Sequence, residues 1–172
     1  MKITCKILPV LIIGLGLSAG CAAQSTAFAS TTAVLVTPIS ISKTTDMHFG
    51  TVASSGTAGT VVLDQSNGRT TTGGASLPTG GISPTSAVFA VTGQGTSGFS
   101  ITIPSAPITL SNGVQTMTVS NFVCDAGAAT TLVAGSKTLN IGATLNVGAN
   151  QAAGTYTKSG DLAGLFVTVN YN

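Results

Sequence analysis

Charge is scarce in this chain. Only 6% of its 172 residues are charged, six Lys and Arg against four Asp, and there is no Glu and no Trp, with two Tyr, one His and three Cys. Each shortage excludes something. Nucleic-acid binding needs clustered Lys and Arg, which are missing here. A platform for stacking sugars or bases needs aromatic rings. Acid-base or metal chemistry needs several convergent carboxylates, imidazoles or thiolates, so no catalytic, metal or cofactor set is expected. No apolar run approaches the about 20 residues of a membrane-spanning helix.

What is present begins with an export signal. Met1 to Lys6 carry Lys2 and Lys6, an apolar run follows from Ile7 to Leu17, and small residues come next. That order is the n-region, h-region and cleavage region of a secretory leader. Ala27-Phe28-Ala29 fits an A-x-A cleavage site, while a cut after Ala22 or Ala23 fits the distance from the apolar run. The leader is therefore taken as 1–29, with cleavage between 22 and 29 and a single domain over 30–172. Lipid attachment at Cys21 is an alternative, although Leu17 sits one residue too far upstream for the usual motif. With the leader gone, Lys43, Arg69, Lys137 and Lys158 face Asp46, Asp64, Asp125 and Asp161, and net charge is near zero. Cys124 is then the one thiol left, so stability must come from packing rather than an internal disulfide.

Strand periodicity dominates the rest. Leu139, Ile141, Ala143, Leu145 and Val147 alternate with Asn140, Gly142, Thr144, Asn146 and Gly148, the pattern of a half-buried strand. Phe89 and Val91, Phe99 with Ile101 and Ile103, Met117 and Val119, and Ile39 and Ile41 repeat it. Asn67-Gly68 and Asn112-Gly113 suit tight antiparallel turns. The Gly, Thr and Pro content from Asn67 to Thr85 suggests a long surface loop, and no segment reads as a helix. The expectation is an all-β protein, one immunoglobulin-like or pilin-like β-sandwich of about seven strands. Leu165, Val167, Val169 and Tyr171 share one face of a closing strand, which suggests a sheet edge that another strand covers.

Five phrases carry a resemblance: TPISISKTTDMHFGTV (Thr37 to Val52), GTVVLD (Gly59 to Asp64), VFAVTGQGTSGFSITIP (Val88 to Pro104), LNIGATLNVGANQAAGTYT (Leu139 to Thr157) and VTVNYN (Val167 to Asn172). Together they resemble the bacterial secreted-protein family known as domain of unknown function 4402. That family is similar in layout to spore-coat-U-like and chaperone-usher pilin subunits. Phe49-Gly50, Gly154-Thr155-Tyr156 and the penultimate Tyr171 are the local likenesses. The resemblance implies an incomplete sandwich that takes its missing strand from a periplasmic chaperone and then from the next subunit, with an outer-membrane usher as a further partner. Lys158 to Ala163 departs from the pilin pattern as an insertion before the last strand.

Other motifs have plainer readings. Gly93 to Gly98 spells G-x-G-x-x-G, but a strand follows it where the dinucleotide fingerprint needs a helix, so a Gly-rich hairpin turn is the reading. His48 with Asp46 lacks a third partner. Asp64-Gln65-Ser66-Asn67-Gly68 offers oxygens without a bidentate acid, as a polar turn does. Cys124 has no nearby His in sequence to activate it. The expected function is a non-enzymatic surface structural subunit, fimbrial in type and exported to the periplasm, cell surface or beyond. Val34, Val36, Ile39 and Ile41 are the donor-strand candidates, and the partners are copies of itself, a chaperone and an usher, with no nucleic acid. A self-complemented extracellular binding or matrix module is the alternative. An outer-membrane barrel lacks the aromatic girdles and comparable strands it needs.

Overall fold

The structure, a computed structural model, describes residues 24–158 and 164–172. Two units make up the chain, Met1–Val34 and Leu35–Asn172. Described residues of the first unit carry no strand or helix, and Phe28 and Val34 are exposed. The charged and apolar parts of the expected leader, Cys21, and most of the expected insertion lie outside the described residues.

Among the described residues the second unit is all-β, an antiparallel β-sandwich with ten strands. Its larger sheet holds β1 (Ser40–Thr45), β4 (Ala87–Thr92), β9 (Ser136–Val147), β2 (Ala53–Leu63) and β3 (Arg69–Ser76) in that order, with β7 (Thr116–Cys124) also on β9 and β6 (Ile108–Ser111) on β7. The smaller sheet runs β10 (Thr168–Tyr171), β5 (Gly98–Thr102), β8 (Ala129–Thr131).

β9 is the spine. Its first half, Ser136 to Ile141, pairs with β4, its second half, Ala143 to Val147, pairs with β2, and β7 pairs with Ile141 to Asn146. Being buried is what its alternation predicts: Leu139, Ile141, Ala143, Leu145 and Val147 are at most 4% exposed, while Asn140, Thr144 and Asn146 stay half-exposed on the outer face. A strand flanked on both edges and packed on one face is the natural organiser of a sandwich.

The expected turns are in place. Asn67 has φ 69° between β2 and β3, where Asp64 Oδ1 accepts from the backbone N–H groups of Ser66 and Gly68, each at 2.7 Å. Asn112 Oδ1 likewise accepts from Val114 and Gln115 in the β6–β7 turn. The expected loop from Asn67 to Thr85 is corrected: β3 occupies its first half and pairs with β2 from Arg69 opposite Leu63 to Ser76 opposite Ala53. Thr70 and Thr72 point out while Thr71 and Ala75 turn in, an alternation that small residues hide because it carries little hydropathy contrast. The hairpin expected at the G-x-G-x-x-G run is corrected: the run is a turn, but β4 and β5 do not pair, and it carries the chain from β4 in the larger sheet to β5 in the smaller.

Two cores result. In the first, Phe89, Val91, Leu139 and Ile141 of the larger sheet meet Phe99, Ile101 and Val169 of the smaller one. The second comprises Val61, Leu63, Ala75, Val119, Ala143, Leu145 and Val147, all from the inner face of the larger sheet, with Phe49 the buried residue that comes from a loop. Seven strands facing three cannot be covered evenly. The second core is therefore one-sided.

Candidate functional site

A cleft of about 800 Å³ lies along that one-sided core. Its apolar lining comes from β6 and β7 (Leu110, Met117, Val119, Phe122), from Leu145 on β9, from Ala87 and Phe89 on β4, which belong to the first core, and from Phe49 on the β1–β2 connection. Leu165, just before β10, closes one side. Lys43, Asp46, His48 and Lys158 also border it. A volume near the upper end of ordinary ligand pockets, with apolar lining and few polar groups, suits an extended peptide or another elongated apolar occupant.

The walls are built from backbone-directed hydrogen bonds. Arg69 Nη1 donates to the carbonyls of Phe49 (2.7 Å) and Thr51 (3.0 Å), holding the Phe49-Gly50 turn against β3. Gly50 sits at φ +72°, and a Cβ there would come within 2.7 Å of Arg69 Nη1 and of the Ile82 carbonyl oxygen, so the turn needs glycine twice over. His48 Nδ1 accepts from the Gly50 N–H at 2.8 Å, and the His48 backbone exchanges two 2.8 Å bonds with Thr85.

On the opposite wall, Tyr156 of the Gly154-Thr155-Tyr156 segment donates through its hydroxyl to the Ala152 carbonyl (2.8 Å) and accepts from Gln151 Nε2 (3.0 Å). Gln151 reaches on to the Thr116 carbonyl, and Gln115 Oε1 accepts from Ala152 N–H. Thr157 and Ser111 exchange backbone bonds at 2.8 and 3.0 Å, tying this segment to the end of β6. The Phe49-Gly50 and Gly154-Thr155-Tyr156 segments, singled out in sequence by resemblance, thus border the same cleft. Arg69, Gln115 and Gln151, which fix those walls, carry no sequence signal that marks them.

His48 and Asp46 do not form a pair: the imidazole serves its own turn, and Asp46 accepts from Lys43 Nζ at 2.6 Å in an exposed ion pair. Cys124 is buried, and burial, with smaller contributions from the neighbouring Asp125 carboxylate, pushes its thiol up from the ordinary range. Burial also works against ionisation of Asp125, but the side chain and backbone N–H of Asn140, at 2.7 and 3.0 Å, outweigh it and hold the carboxyl below its usual value. Among the described residues no three His, Cys, Asp or Glu side chains come together as a metal site. No helix among them is long and apolar enough to cross a membrane.

The donor-strand candidates divide. Ile39 and Ile41 are half-buried and pack against the first core, and Ile41 pairs with Val91 in the β1–β4 ladder. Val36 is 49% exposed, Leu35 fully exposed and Val34 90% exposed. Of the residues expected on the closing strand, Val169 (buried) and Tyr171 fall within β10, whereas Leu165 and Val167 precede it, a correction to the expected strand length. Leu165, Val167 and Tyr171 all pack against the first core, and among the described residues β10 pairs with β5 along one side and forms the edge of its sheet.

Fold and cleft define a class: an antiparallel β-sandwich whose second sheet, among the described residues, is narrower than the first, with an apolar groove beside the edge strand β6. The chain belongs to the family described as Domain of unknown function (DUF4402), whose profile matches residues 39–171, from the approach to β1 to the end of β10. No curated protein and no solved structure gives a significant match.

Proposed function

We propose that the protein is an exported, non-enzymatic structural subunit of the cell surface that assembles by β-strand addition, the amino-terminal segment of one copy occupying the cleft of the next. The single observation that carries this reading is the one-sided core lining an apolar cleft, in a chain that also exposes the run Val34-Leu35-Val36. Val34 and Val36 alternate with Leu35, so an added strand would turn both valines toward the cleft floor. Each fully buried large apolar side chain contributes about 1.5–3 kcal/mol, and backbone pairing along a sheet edge adds to that. Before assembly such a cleft needs temporary cover, the role of a periplasmic chaperone and an usher in pilin-like systems.

A second reading has its own observation. β1 is already paired with β4 and Ile39 and Ile41 already pack on the first core, as they would in a self-complemented binding or matrix module. Val36→Asp separates the two. Strand addition predicts a folded monomer that no longer forms multimers. A parent that is itself a folded monomer, and that Ile41→Asp unfolds by circular dichroism while Val36→Asp does not, would instead favour self-complementation.

A further inference from the structure

The point where the chain enters the sandwich is held by side chains rather than by a neighbouring strand. Thr37 N–H donates to Gln94 Oε1 at 3.1 Å, and the Thr37 carbonyl accepts from the Tyr171 hydroxyl at 2.8 Å. The same hydroxyl accepts from Gln94 N–H at 2.6 Å. One residue's backbone donor and acceptor are thus both engaged, by a residue of the β4–β5 turn and by the penultimate residue of the chain. The arrangement imitates one rung of a ladder at a place where no ladder exists.

The turn is shaped to receive it. A Cβ at Gly93 would come within 2.3 Å of the Tyr171 hydroxyl and 3.0 Å of Leu132, so only glycine leaves room for the ring. Gly93 N–H donates to the Gly135 carbonyl and Gly135 N–H to the Gly95 carbonyl, which fixes the turn from its other side. Tyr171 itself is seated by β10, where it pairs with Phe99. Immediately before Thr37 the exposed apolar residues Val36 and Leu35 begin.

We infer that Tyr171 and Gln94 form a clasp that makes Thr37 the fixed root of the amino-terminal arm, so that the closing strand governs how the arm leaves the domain. Tyr171 is in this sense a positioning residue. Fixing the root lowers the number of arm orientations that must be lost when the arm binds, the usual benefit of preorganisation. This last consequence rests on the strand-addition reading above.

The test uses the mature chain with Tyr171→Phe, which keeps the ring and removes the hydroxyl that holds the Thr37 carbonyl, and with Gln94→Ala, which removes the acceptor of the Thr37 N–H and leaves that hydroxyl in place. Backbone order parameters from NMR relaxation are read at Thr37 and at Ile101, whose N–H donates to the Ala128 carbonyl and serves as an internal reference. The clasp predicts Thr37 near about 0.85 in the parent and below about 0.6 in both variants, with Ile101 unchanged. Multimer yield falls severalfold in both. An unchanged Thr37, or a fall at Ile101 of the same size, overturns the clasp. A loosened Thr37 with undiminished multimers overturns its effect on the arm. A parent chain that never multimerises defeats the strand-addition reading instead, while the Thr37 result still decides the clasp.

Discussion

Truncating two leucines measures how complete each core is. Leu139 is fully buried between the sheets, so Leu139→Ala costs about 2–5 kcal/mol whatever the state of assembly, a fall in Tm of roughly 4–20 °C. Leu110 is half-buried on β6, opposite Met117 and facing the cleft. A fully buried leucine is worth about 1.5–3 kcal/mol, so in the isolated domain Leu110→Ala costs about half of that, ~1 kcal/mol. Once another strand covers the cleft, the other half is felt as well and the cost about doubles. Guanidinium denaturation in a monomeric Val36→Asp background gives the first number, and guanidinium unfolding of purified multimers gives the second. Equal costs of Leu110→Ala in both states would refute the idea that assembly completes the second core. Leu139→Ala serves as the control, since its cost stays the same in both.

Gly50→Ala forces a side chain into a left-handed backbone position and against Arg69 and the Ile82 carbonyl, and it is expected to cost on the order of 1–3 kcal/mol in a thermal melt, more than an exposed glycine such as Gly56. Asp125, whose carboxyl is held below its usual range, stabilises the fold fully above the unfolded value near pH 4 and loses that contribution as pH falls through the lower folded value. The fall is small because the group is exposed, and Asp125→Asn removes it from the acid limb of the stability curve.

Much of the sandwich was legible where hydropathy alternates with strong contrast. β9 announces itself because Leu, Ile, Ala and Val alternate with Asn, Thr and Gly from Leu139 to Gly148, and β4, β5 and β7 follow on shorter runs. β3 was not legible, since its inward positions include Thr71 and Ala75 and its outward ones Thr70 and Thr72, leaving no contrast for periodicity to report. The count of strands was low for the same reason, as β8 (Ala129–Thr131) is three residues of Ala and Thr. The two turn segments that border the cleft were visible only by resemblance. The cleft itself arises from the pairing of β9 with three different strands, a long-range register that no local pattern encodes. Arg69, Gln115 and Gln151 act on backbone carbonyls and amides, and a polar side chain that braces a turn looks in sequence like any other surface residue.

Strand addition in trans is the central claim, and an unheated, reducing SDS gel of the surface fraction, blotted for this protein, tests it most directly. The account predicts a ladder of detergent-resistant multimers that collapses to a single band on boiling, because the link is a non-covalent strand buried against an apolar floor. A lone monomer band, from a protein that sizing in native buffer shows to be folded and monomeric, would contradict it.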